Sequence, residues 1–120
     1  ELAPALTGDT VFRIPSASTA SALPAVGLEL LPANAVPSAA GLALDAAANL
    51  YVGNAAGGGA GEVLKITLPA VAPAPFATGL DLIGGLAIDG SGDLFVGDTR
   101  SCCFDARVSR FDSSGAPEGV

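Results

Sequence analysis

The chain has 120 residues, with five Lys and Arg against twelve Asp and Glu and no His, for a formal net charge of −7. That balance, with no basic stripe, weighs against contact with nucleic acid. The lack of histidine removes the commonest neutral-pH base and the commonest transition-metal ligand. Sixteen Gly and nine Pro break up the apolar stretches, so no run approaches the roughly 18 residues of a membrane span and long helices are not expected.

In chain order, DTVFRIP (9–15) reads as a strand, SASTASALPAVG (16–27) as an enlarged loop and LELLPAN (28–34) as an outer strand. GLALD (41–45) leads through AAA into NLYVGN (49–54), two strands joined by a tight turn. The loop AAGGGAG (55–61) then precedes a third strand in EVLKITL (62–68), and PAPFATG (73–79) follows as a fourth. Its prolines suit an outer edge, where a missing N–H costs no ladder bond. GLAID (85–89), GSG and DLFVGD (93–98) repeat the first pair of strands. TRSCCFDA (99–106) is a longer polar connection, RVSRFD (107–112) a third strand and SSGAP (113–117) punctuation. Alanine content also allows helices over SASTASALPAV or VPSAAGLALDAAANL, but the prolines, Gly41 and the recurrence of the second stretch favour strands.

GLALDAAANLYVG (41–53) returns as GLAIDGSGDLFVG (85–97), 44 residues on. A fixed period of this size reveals an architecture of stacked units. Val63 aligns with Val108 and Lys65-Ile66 with Arg110-Phe111, one residue out of period because one loop is longer; DTVFRIP aligns with the same third strand. The expected organisation is the tail of a preceding unit in 1–40, a near-complete unit in 41–84 and three strands of another in 85–120. By period two, Leu50, Val52, Leu94 and Val96 share one face, and Tyr51 and Phe95 the other. Ala43 and Ala87 permit close approach of neighbouring units. Gly53 and Gly97 mark bulges or close backbone contacts. Asp45 and Asp89 end their strands at a turn, where a carboxylate can accept hydrogen bonds from turn amides.

The pattern G-[LI]-A-[LI]-D-x-x-[GA]-[ND]-L-[YF]-V-G-[ND], followed by [VL]-x-[KR]-[IF], resembles the blade of NHL-type β-propellers, a group related to gluconolactonase-like, paraoxonase-like and streptogramin-lyase propellers, including six-bladed types. The resemblance implies an all-β fold of antiparallel four-stranded blades, with residues 41–54 and 85–98 as inner strands and 62–67 and 107–112 as third strands. Two and a fraction blades fall short of the four or so that close a ring, so the propeller is expected to be incomplete or open in this chain. A window on a longer propeller is the preferred explanation, since the chain starts and stops inside units. Assembly with other copies and a small open stack are the alternatives.

Several residues are candidates for chemistry. DGSGD (89–93) places oxygen ligands around glycine but lacks the further ligands and terminal Glu of an EF-hand loop, and its counterpart reads DAAAN. The resemblance to lactonase-like propellers, which hold a central calcium at inner-strand ends, makes Asn54 and Asp98 the candidate Ca2+ ligands, with Glu62 nearby in sequence. Nucleophilic catalysis lacks both histidine and a G-x-S-x-G elbow, and the histidine-dependent lyase pattern fails. Paired-carboxylate hydrolysis would have to use Asp89 with Asp93 or Asp98, residues of a repeated structural motif.

Cys102 and Cys103 are adjacent. A bridge between them would be strained, since neighbouring Cα atoms lie about 3.8 Å apart and ordinary disulfides span about 4.4–6.8 Å; two free thiols or bridges to segments outside the chain are the alternatives. Arg100, Arg107 and Arg110 surround this loop and suggest a positive patch or a solvated rim. Glu1 has no basic region or apolar core behind it, as in a processed export protein or an excised fragment. With the cysteines and few lysines, the expected location is extracellular or periplasmic.

The expected function is a binding or scaffolding module without catalytic activity of its own, whose partners are further blades or other copies. A piece of a calcium-dependent lactonase or gluconolactonase-like hydrolase and a structural subunit of a surface or filament assembly are the rivals.

Overall fold

The computed structural model describes residues 12–13, 28–29, 35–56, 58–68, 72–100 and 105–119. Cys102 and Cys103 lie outside them, and so does most of the preceding unit expected in 1–40. Two short strands of that region are described, β1 (Phe12–Arg13) and β2 (Leu28–Glu29), which pair antiparallel with each other.

Ten strands and no helix are found among the described residues. The first four-stranded sheet contains β3 (Ala39–Leu44), β4 (Asn49–Asn54), β5 (Gly61–Thr67) and β6 (Pro73–Leu80), in the order β3-β4-β5-β6. The second contains β7 (Leu82–Ile88), β8 (Leu94–Arg100), β9 (Asp105–Phe111) and β10 (Pro117–Gly119), in the same sequential meander. All pairings are antiparallel, and neither sheet closes on itself. The fold is all-β: two propeller-like blades that form no closed barrel.

The ladder registers match the alignment of the two repeats. Tyr51 stands opposite Lys65 and Phe95 opposite Arg110, while Gly53 faces Val63 and Gly97 faces Val108. The proline-bearing strand β6 pairs only with β5, at the edge. Strand ends differ from the sequence reading by one or two residues at several places, and two differences are larger. Strand β7 begins at Leu82 rather than 85, since Leu82 and Ile83 continue the ladder to Thr99 and Asp98 past a bulge. The last blade also has four strands instead of three. Pro117 and Gly119 pair with Phe111 and Arg110, and all three residues of β10 are exposed, so no apolar alternation announces the strand.

Each hairpin turn after an inner strand is built by an aspartate. Asp45 Oδ1 accepts from the amides of Ala47 (2.9 Å) and Asn49 (2.8 Å), and Asp89 Oδ1 accepts from Ser91 (2.8 Å) and Asp93 (3.0 Å). A third copy joins β9 to β10, where Asp112 Oδ1 accepts from Ser114 (2.8 Å) and Ala116 (3.0 Å). The residue three after each Asp is left-handed, with φ of 63° at Ala48 and 88° at Gly92 and Gly115. Three-residue hairpin loops close with such a residue.

The core divides by blade face. Tyr51, Val63, Ala77 and Leu80 of the first blade pack with Ile83, Leu94, Val96 and Phe111 of the second. On the far side of the first blade, Leu50, Val52, Leu64 and Ile66 form a separate cluster with Val36. The blades meet mainly through their inner strands, β7 lying on β3 and β4. Close approach is built in at Gly53, where a Cβ would collide with the Ala40 carbonyl oxygen and come within 2.7 Å of Ile83 Cγ2.

Candidate functional site

Asn54 and Asp98, the candidate calcium ligands, occupy matching ladder positions on β4 and β8. Each is engaged by the segment entering the adjoining inner strand. The Ser38 amide donates to Asn54 Oδ1 (3.1 Å), and the Asp81 amide donates to Asp98 Oδ1 (2.8 Å). Asp98 is 1% exposed and its Oδ2 also accepts from Arg107 Nε (3.0 Å) and Nη2 (2.8 Å). Its lone pairs therefore serve a backbone amide and a guanidinium. Among the described residues no three His, Cys, Asp or Glu stand together as a metal-ion nest. Asn54 and Asp98 thus hold the β3 and β7 entries against the blade.

Asp45 and Asp89 are turn aspartates, as read from the sequence. Asp45 carries more than Asp89 does: Asn49 Nδ2 (2.7 Å) and the Tyr51 hydroxyl (3.2 Å) both donate to its Oδ2. Desolvation pushes the Asp45 carboxyl up, but the bonds from Asn49, Tyr51 and Ala47 together hold it below its ordinary value. At Asp112 the Ser114 hydroxyl, followed by the Ala116 and Ser114 amides, does the same. Asp112 was missed because SSGAP looks like a generic turn; the spacing Asp, then Ala or Gly three residues later, was the available signal.

The arginines do not form a free positive patch. Arg107 is held by Asp98, and Arg110 lies between Asp93 (2.5 Å) and Glu118 (3.0 Å). Arg100 is exposed at the end of β8, opposite Asp105 in the ladder.

What remains unaccounted for is apolar surface. Val63 and Val108 are equivalent by register, yet Val63 is fully buried and Val108 is 59% exposed. Ala87 and Phe95 are the counterparts of Ala43 and Tyr51, which face the second blade. Arg110 lies over the Phe95 ring at 5.8 Å, as Lys65 lies over Tyr51 at 5.4 Å. This outer face of the second blade thus repeats the docking surface of the first, without a blade on it. A groove of about 370 Å³ runs across it, lined in part by Gly97, Ala106 and Val108. On the opposite flank Leu42 and Leu44 are 54% and 63% exposed, although their counterparts Leu86 and Ile88 pack into the interblade core.

No protein-family model matches the chain, and no curated protein matches it. The two repeated blades and their open faces are therefore the ground for a functional reading.

Proposed function

We propose that the chain supplies blades of an NHL-like, six-bladed-type β-propeller that works outside the cytoplasm as a non-catalytic binding or scaffolding module. The observation that carries this reading is the contrast between Val63, buried by the next blade, and Val108, its open equivalent. Apolar area of this kind marks an interaction surface. The acidic and amide side chains support the same reading, because Asp45, Asp89, Asp98 and Asn54 are all spent on turn and strand-entry amides. A hydrolase would need such groups directed at a substrate.

A chain extended after Val120 by a third copy of the 44-residue unit tests the module. A further blade should cover the Val108 face, lower the fluorescence of a dye that reports exposed apolar surface and raise Tm by several degrees. No change in either quantity would sink the reading. Hydrolysis of a sugar lactone in the presence of Ca2+, lost in an Asp98→Asn chain, would replace it with the hydrolase.

A further inference from the structure

The interblade contact within the chain is made from two dissimilar halves: the receiving half recurs unoccupied on the second blade, and the inner-strand strip of the projecting half recurs exposed on the first. In the occupied contact, Leu86 and Ile88 of β7 project toward the face of the first blade that carries Ala43 and Tyr51. The free projecting half is Leu42 and Leu44 on β3; the free receiving half is Ala87 and Phe95 on the second blade. The repeat makes the two halves alike in shape and chemistry, not merely alike in being apolar.

The neighbouring residues allow the contact. On the Leu42 side, Leu50, Val52, Leu64 and Ile66 are already buried, so only the inner-strand strip is open. That strip corresponds to the part of the observed contact where the blades approach most closely, β7 on β3 and β4, which Leu94, Val96 and Phe111 complete within the chain. A second copy would place its β3 on β7 and β8 in the same way.

We propose that this chain associates with itself head to tail, the Leu42–Leu44 strip of one copy docking on the Ala87–Phe95 face of the next. This names the partner of the scaffolding module proposed above and rests on that reading. The interface is heterologous, so each added copy presents a fresh receiving face and growth ends only by ring closure. With a net charge of −7 per copy, the copies repel one another at long range, and added salt screens that repulsion. Association therefore tightens as salt rises, opposite to an interface held by ion pairs.

Light scattering and sedimentation of the 120-residue chain over a range of concentrations test this. The expected result is a series of masses above 11.6 kDa, or one closed multiple of it. Leu44→Glu removes the projecting half and Ala87→Glu the receiving half. Both positions are exposed, and circular dichroism checks that the fold is kept. Each variant alone should stay monomeric, with association weakened at least about tenfold, as expected when a carboxylate must enter an apolar contact. Mixing the two variants leaves one intact pair of halves, so the mixture should form a dimer and grow no further. An unfolded variant could not give that rescue. A wild-type chain that remains at the monomer mass in high salt overturns the proposal, and so does a symmetric dimer that survives both substitutions. The three-unit chain described above reports separately on whether the face accepts a blade at all.

Discussion

Ala48 is the non-glycine residue with positive φ among those described, at 63° in the first aspartate turn. The matching positions, 92 and 115, are glycine, which adopts this conformation without a Cβ penalty. An L-residue there costs about 1–2 kcal/mol, partly offset by the lower entropy of the unfolded chain. Ala48→Gly should therefore raise stability by about 0.5–1 kcal/mol, and Ala48→Val should lower it, as read from denaturant midpoints. The turn carboxylates also set a pH dependence. Asp45 and Asp112 sit below the 3.8 of an unperturbed aspartate, so the folded state favours their ionised forms. Their contribution is complete above that value and is lost as the pH falls through it toward the lower folded values. Denaturant midpoints measured downward from about pH 6 should hold steady and then fall below about pH 4. Asp112→Asn should make that fall shallower.

At the scale of the strand pair, the Asp98–Arg107 bridge joins β8 to β9 while Asp98 also pins the amide that precedes β7. The first blade does the same task without an ion pair, using Asn54 for the amide and placing Glu62 opposite it in the ladder. A buried carboxylate deprived of its partner is costly, whereas loss of both charges together is mild. Arg107→Met should thus destabilise by about 3 kcal/mol. Asp98→Asn, which imitates the first blade, should cost less. The double substitution should fall short of the sum of the singles by at least about 1 kcal/mol in a double-mutant cycle. Strict additivity would mean that solvent, not Asp98, satisfies the guanidinium.

The two blades are joined by a core that neither of them owns. Val63, Ala77 and Leu80 are buried against Ile83, Leu94 and Val96. Removal of the second blade would expose that entire face, and stacked repeats draw their stability from such interfaces. A chain ending at Leu80 should therefore lack a cooperative thermal transition by circular dichroism, while the full chain unfolds in one step. A sharp transition in the shortened chain would show that the first blade is self-sufficient.

Much of this was legible in the sequence because it is local or periodic. Alternation placed Leu50 and Val52 on one face of β4 and Tyr51 on the other, and the 44-residue recurrence carried the register to β8 and β9. The Asp-to-amide turns were readable because their donors lie two and four residues away. Strand β10 was not, since Pro117, Glu118 and Gly119 have no buried face to pattern. The roles of Asn54, Asp98 and Arg107 could not be read either, because their partners come from another strand or a strand entry, between 9 and 17 residues off. Local chemistry and period alone thus determined most of the strands, the first two aspartate turns and the repeat of this protein. Only the tertiary structure decided which of two equivalent faces is covered: burial depends on what stands opposite a residue, and Val63 and Val108 have the same ladder surroundings but different neighbours across the blade.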